Sequence, residues 1–98
     1  MLIKICGVKD PETARFAAEK GADFIGVILS PGFKRSINLE MAHEIVLAAR
    51  QGGAEPVAVF VASQHVRQEM EQIVADLGIQ YVQAYGLKEP LLEHLHFP

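Results

Sequence analysis

The chain has 98 residues, of which 50% are hydrophobic and 21% are charged, so it is too apolar for a disordered chain. A chain of this length holds one domain with a single modest core. Twelve acidic residues against nine basic ones give a net charge of −3, which argues against nucleic acid or a membrane surface as a partner. The sequence contains no apolar run of membrane-spanning length and no signal peptide. Because Cys6 is the only cysteine, no internal disulfide can form, and we expect a cytoplasmic protein.

Four short runs rich in β-branched and aromatic residues predict β-strands at residues 2–6, 24–29, 57–61 and 79–84. The two middle runs are apolar almost throughout, which is typical of strands covered on both faces. We therefore expect the strands to pair in parallel.

Two segments between these runs have helical periodicity and clear end signals. Asp10 and Pro11 are expected to begin the first helix, as cap and first-turn residue. Asn38 is the expected cap of the second helix, which should end at Gly52 and Gly53.

A third helix is predicted to follow Ser63 and to end at Gly78. A short helical piece is predicted after Pro90. The resulting order βαβαβαβ, followed by a helical stub, predicts an α/β architecture with right-handed crossovers. Two forms remain open at this point: an open doubly wound sheet, or half of a (β/α)8 barrel, which is complete only at about 200 residues or more.

Functional groups in both architectures lie at the carboxyl ends of the strands. Cys6 ends the first predicted strand, although a cysteine considered by itself is more often a small buried hydrophobic residue than a reactive thiol. Lys34 and Arg35 lie in the loop after the second strand, and the guanidinium fork of Arg35 suits a carboxylate or a phosphate. Gln83 and Tyr85 place an amide and a phenol at the end of the fourth strand.

Other patterns in the sequence carry little chemistry. His43 and His65 fall on different predicted helices among polar neighbours and are expected to be exposed. His94 and His96 have no cysteine or further ligand nearby, so no metal site is predicted. The sequence contains no glycine-rich dinucleotide or phosphate loop of known pattern.

Five short segments, in order and with their spacing, resemble the phosphoribosylanthranilate isomerases of tryptophan biosynthesis: residues 4–7, 21–26, 34–37, 56–61 and 82–86. The resemblance extends from residue 2 to about residue 86. It implies that residues 1–98 form a single domain, the N-terminal half of a (β/α)8 TIM barrel. In such a half-barrel the side chains facing the interior are expected to be those of Ile3, Ile25 and Val59 or of their strand neighbours.

The family performs an Amadori rearrangement of N-(5-phosphoribosyl)anthranilate to 1-(2-carboxyphenylamino)-1-deoxyribulose 5-phosphate, without a cofactor. By position, the resemblance implies that Cys6 is the general base and that Arg35 binds the anionic, phosphorylated substrate. It also places Gln83 and Tyr85 at the substrate, with Tyr85 where the family usually has a histidine. The family's aspartate acid and phosphate-binding loops lie in the later half of the barrel, so we expect the chain alone to be inactive.

Two completions of such a half-barrel are expected: a second barrel half, or a self-associating copy of the same chain. Two other interpretations remain open. The chain could be a non-catalytic half-barrel that binds or supports a partner, or a small doubly wound domain. Strand order distinguishes the last, since a half-barrel has the order 1-2-3-4 and a flavodoxin-like sheet has 2-1-3-4.

Overall fold

Strands and helices alternate along the chain in the computed structural model, which describes residues 2–61 and 65–85. The predicted cap Ser63 and the predicted helical stub after Pro90 lie outside the described residues. The elements are β1 (Lys4–Cys6), α1 (Pro11–Glu19), β2 (Phe24–Ile28), α2 (Leu39–Gln51), β3 (Glu55–Val61), α3 (Arg67–Leu77) and β4 (Tyr81–Tyr85).

The four strands form one parallel sheet in the order β1-β2-β3-β4. This order confirms the barrel-type arrangement and excludes the doubly wound alternative. Crossovers of one hand between neighbouring strands bring the helices to the same face of the sheet. We call the opposite face the open face; the strand pleat assigns to it Lys4, Cys6, Phe24, Gly26, Ile28, Val57, Val59, Tyr81 and Gln83.

The hydrophobic core lies between the helices and the other face of the sheet. Ile25 and Phe60 are fully buried there, and they belong to one cluster with Ala14 and Ala18 of α1. Val59 lies on the open face as expected, whereas for Ile3 and Ile25 it is the strand neighbours Lys4 and Gly26 that lie there. The pleat turns the Ile25 side chain towards the helices, where its burial removes more apolar surface from water.

The first two helices begin at the predicted residues. The Asp10 carboxylate accepts hydrogen bonds from the Thr13 backbone N–H at 2.8 Å and the Thr13 hydroxyl at 2.9 Å, and Pro11 is the first helical residue. These bonds, the backbone bond above all, lower the pKa of Asp10 below its ordinary value. At the start of α2, the Asn38 side chain accepts the Met41 N–H at 2.8 Å.

The third helix has a weaker start and a well-defined end. Its first residue is Arg67, and the preceding residue, Val66, offers no side-chain cap. Gly78 ends the helix as predicted, with a φ of 67° in the left-handed region that glycine reaches without strain.

Gly52 lies where the end of α2 crosses α1. A Cβ at this position would stand 2.5 Å from the Cβ of Ala18 and 2.9 Å from the carbonyl oxygen of Arg15. The two helices therefore approach so closely that no side chain fits at residue 52.

We expect Gly52→Ala to lower the free energy of unfolding by about 1–3 kcal/mol, because the added methyl group forces the two helices apart. Urea denaturation of the two proteins measures the difference. The matched control is Gln51→Ala, an exposed change at the preceding residue that should stay within about 0.5 kcal/mol of the parent. A Gly52→Ala protein as stable as the parent would contradict this helix packing.

Candidate functional site

The thiol of Cys6 lies on the open face at the carboxyl end of β1. Cys6 is opposite Gly26 of β2, and its Sγ lies 3.0 Å from the point that a Cβ on Gly26 would occupy. Any side chain at residue 26 would therefore displace the thiol. Cys6 is half-buried, so its sulfur is within reach of a small molecule on this face.

Arg35 lies across the turn that follows Cys6. Its Cδ stands 2.7 Å, and its Nη1 3.4 Å, from the point that a Cβ on Gly7 would occupy. Gly7 has a φ of 78°, which disfavours any other residue at this turn. The N–H groups of Gly7 and Val8 donate to the carbonyl oxygen of Gly26 at 3.0 and 3.2 Å, which fixes the turn to β2. The fold thus places Arg35 against Gly7, the residue after Cys6, although the two are distant in the sequence.

The loop that carries Arg35 is closed by Ser36. The Ser36 hydroxyl donates to the carbonyl oxygen of Ser30 at 2.6 Å and accepts the N–H of Phe33 at 3.0 Å. Arg35 itself is exposed beside this closed turn, and its guanidinium is free to meet an anion.

The end of β4 contributes an amide and the backbone of a tyrosine. Gln83 lies opposite Val59 on the open face, and its Oε1 is buried with no hydrogen-bond partner among the described residues. A buried acceptor without a donor costs free energy, and a ligand N–H would remove that cost. Tyr85 is the last residue of β4, opposite Val61, at the same edge of the sheet as Cys6.

The prediction for His65 was wrong, because its side chain is only 7% exposed. Its Nε2 lies 2.8 Å from the Oγ of Ser30, and its Nδ1 lies 2.6 Å from Oε1 of Glu69. Its ring packs edge-on against Phe60, with 5.2 Å between the centroids. The spacing of four between His65 and Glu69 is visible in the sequence, but Ser30 is 35 positions away, and that contact depends on the fold.

The acidic residues near the sheet have structural partners. Asp23 Oδ2 accepts the N–H of Ile3 at 2.8 Å, while Asp10 caps α1. Within residues 2–61 and 65–85, no three His, Cys, Asp or Glu side chains are grouped so as to hold a metal ion. In that same part of the chain, no helix has both the length and the apolarity needed to cross a membrane.

A parallel sheet in chain order, with helices on one face and a thiol and a guanidinium at its carboxyl edge, is the arrangement of part of a (β/α)8 barrel. The family model described as N-(5'phosphoribosyl)anthranilate (PRA) isomerase matches residues 3–96. The chain belongs to this family.

Individual relatives agree with the family match. N-(5'-phosphoribosyl)anthranilate isomerase of Chlamydia caviae is 44% identical over 89 residues, which make up 88% of this chain and 41% of that protein. A crystal structure of monomers generated from the dimeric isomerase of Thermotoga maritima has a TM-score of 0.79 at 31% identity, and covers 95% of this chain and 45% of that one. A phosphoribosyl anthranilate isomerase in complex with reduced 1-(o-carboxyphenylamino)-1-deoxyribulose 5-phosphate has a TM-score of 0.80 at 31% identity, covering 93% and 45%. The chain thus spans under half the length of these relatives.

We expect Gly7→Ala to displace the Arg35 side chain as well as to strain the turn. Gly32→Ala is the matched control, because Gly32 also has a positive φ, 92° against 78°, but has no atom within 4 Å of the Cβ position. The left-handed backbone should cost each variant about 1–2 kcal/mol, and Gly7→Ala should lose more than that. Urea denaturation gives the two costs. An Arg35 Nε–H resonance that is unchanged in Gly7→Ala would contradict the contact.

Proposed function

We propose that this chain supplies the N-terminal half of a phosphoribosylanthranilate isomerase, which acts in tryptophan biosynthesis. The observation that carries the proposal is that Cys6 ends β1 and Arg35 lies against the turn that follows it, in a chain of this family. The proposed reaction is the rearrangement of N-(5-phosphoribosyl)anthranilate to 1-(2-carboxyphenylamino)-1-deoxyribulose 5-phosphate.

Cys6 is the proposed general base. Once the ribose ring has opened to a Schiff base, a base must take the C2′ proton to give the enolamine, and a thiolate at the end of β1 can accept it. The half-buried position of Cys6 on the open face supports this role.

Arg35, Gln83 and Tyr85 are the proposed substrate-binding residues. Arg35 would hold a carboxylate or phosphate oxygen through its guanidinium fork. The unpartnered Oε1 of Gln83 suits an N–H of the substrate. Tyr85 ends β4 at the same edge, so its position in the backbone is compatible with a place in the pocket.

The reaction also needs a general acid for the ring oxygen and a grip on the phosphate. Asp10 and Asp23, in the described part of the chain, accept bonds from the backbone and are poor candidates for the acid. We therefore propose that residues 1–98 form one domain that requires a second barrel half, or a second copy of itself, and that the assembly works in the cytoplasm.

The edge strand β1 supports the proposal that a second barrel half or a second copy completes the fold. β1 is the first strand in the sheet order, and Ile3 and Ile5 are 45% and 40% exposed on its helix side. A further strand and helix would pair with this edge and cover both side chains.

We expect the isolated chain to self-associate, because pairing of edge strands satisfies the backbone and buries Ile3 and Ile5. Sedimentation equilibrium should give a mean mass that rises with concentration above that of one chain. Ile5→Lys should shift the equilibrium to the monomer, while Leu47→Lys, a change at an exposed leucine on α2, should leave it unaltered. An ideal, compact monomer of the parent at high concentration would contradict the half-barrel interpretation.

We expect the 98-residue chain alone to show no isomerase turnover, and to gain it when a matching second barrel half is added. In the active assembly, Cys6→Ser should lower kcat by a factor of about 10²–10⁴, the usual contribution of a general base. The loss of phosphoribosylanthranilate fluorescence measures the rate, and an unchanged urea midpoint controls for folding. A serine variant that keeps more than about half the rate would exclude Cys6 as the base, and Cys6-dependent turnover by the chain alone would remove the need for a partner.

A non-catalytic half-barrel is the second candidate function. Tyr85, in the place where the family usually has a histidine, favours it. An assembled barrel that binds the substrate but shows no turnover would select this candidate.

A further inference from the structure

The hydroxyl of Ser30 connects three elements, although Ser30 has no exposed surface. Its Oγ accepts the backbone N–H of Val61 at 2.7 Å and lies 2.8 Å from Nε2 of His65. Ser30 follows β2, Val61 ends β3, and His65 comes shortly before α3. We call Ser30, His65 and Glu69 the Ser30 cluster.

For a neutral His65 ring, the partners assign a direction to each hydrogen bond in the Ser30 cluster. The Glu69 carboxylate, 2.6 Å from Nδ1 of His65, requires a proton on that nitrogen, which leaves Nε2 as the acceptor in the neutral ring. The Ser30 hydroxyl then donates to Nε2 while it accepts the N–H of Val61. Each of the three side chains thus has a hydrogen-bond partner, with Ser30 and His65 in the interior and Glu69 at the surface.

A Ser-His-Glu series also occurs in hydrolases, where the serine is a nucleophile. Ser30 cannot act in this way, because no substrate can reach a side chain with 0% exposure. A position-holding role is consistent with the burial of Ser30 and with the packing of the His65 ring against Phe60.

The main chain of Ser30 extends this connection to the arginine loop. The carbonyl oxygen of Ser30 accepts the Ser36 hydroxyl at 2.6 Å, and Ser36 is the residue after Arg35. Ser30 therefore holds β3 and His65 through its side chain, and the arginine loop through its backbone.

We propose that the Ser30 cluster positions Arg35, so that His65 is a positioning residue for anion binding at this site. Phe33, Lys34 and Arg35 are exposed, and the Ser36 bond connects their loop to a buried anchor. A displacement of about 1 Å in a substrate-holding group can cost about 10²-fold in rate. The proposal rests on the proposed function only for the identity of the anion that Arg35 binds.

The first test needs no enzyme activity. His65→Phe keeps a ring against Phe60 but removes both hydrogen bonds, and Ser30→Ala removes the hydroxyl. In the isotope-labelled 98-residue chain, both variants should shift or broaden the Arg35 Nε–H resonance. Ser30→Ala should also speed amide exchange at Val61 by about fivefold to tenfold, because it removes the hydroxyl that accepts the Val61 N–H.

The matched control is Arg67→Gln. It breaks a second ion pair with a spacing of four, Arg67 with Glu71 at 2.9 Å, which includes no member of the Ser30 cluster. Its Arg35 resonance should not change. Glu69→Ala is a further variant, at a half-exposed position, and should fold even if His65→Phe and Ser30→Ala do not. It should still alter the Arg35 resonance.

The second test uses the assembled isomerase. His65→Phe should raise KM for phosphoribosylanthranilate about tenfold and leave kcat within about twofold, because Cys6 is untouched. His65→Gln, whose amide oxygen can accept from Ser30, should restore part of the affinity. A general loss of stability would instead lower the active fraction, and hence kcat, without changing KM.

An Arg35 resonance that is the same in folded His65→Phe, Ser30→Ala and Glu69→Ala as in the parent would overturn the proposal. An equal change in Arg67→Gln would overturn it as well. The assembled barrel could also show no turnover while the Arg35 resonance still changes in these variants. That result would exclude the isomerase function and support the positioning role.

Discussion

Parallel pairing between strands that follow one another in the chain is the constraint on which the other features depend. Each crossover returns the chain to the same edge of the sheet, so every strand ends at that edge. Cys6, Ser30, Val61 and Tyr85 come together for this reason, although they are spread over most of the described sequence. A site made of several strand ends is thus a direct consequence of the topology.

The same constraint leaves the sheet asymmetric. The helices cover one face and bury a continuous core, whereas the open face carries half-buried groups such as Cys6 and Gln83. At the β1 edge, Ile3 and Ile5 remain exposed on the helix side. Exposed apolar side chains and an unsatisfied amide on the same sheet are what a larger barrel would cover, and the chain spans under half the length of its relatives.

Two glycines make the site possible by leaving space. Gly26 leaves the room that the Cys6 thiol occupies, and Gly7 lets the Arg35 stem lie against the turn after β1. The two cases differ physically, because Gly7 is also required by its positive φ, whereas Gly26 is required by the close approach alone. The positions of the Cys6 thiol and of the Arg35 side chain therefore both depend on the absence of a side chain at a neighbouring glycine.

The Ser30 cluster shows how a buried polar group can organise an exposed loop. The loop is held by the bond from the Ser36 hydroxyl to the carbonyl oxygen of Ser30 and by the backbone bond from the Ile37 N–H to the carbonyl oxygen of Ile28. The first of these carbonyl oxygens belongs to Ser30, whose hydroxyl has two hydrogen-bond partners in the interior, Val61 and His65. Buried polar networks rigidify their surroundings when each member has a partner.

The sequence by itself determined the features that depend on near neighbours. The caps Asp10 and Asn38 act on residues three positions ahead, and Gly78 ends its helix through its own backbone, so all three could be predicted. The family motifs likewise singled out Cys6 and Arg35 as candidates.

Only the tertiary structure decided the features that join distant segments. The limits of the strands were predicted less well. β3 begins at Glu55 rather than at residue 57, and β4 extends to Tyr85 rather than to residue 84, because a partner strand is available at each of these residues. The burial of His65 also depends on Ser30, which is 35 positions away, and no local pattern encodes such a contact. A hydrogen bond across the sheet forms only after the strands have paired, and that is why the chain order alone could not reveal it.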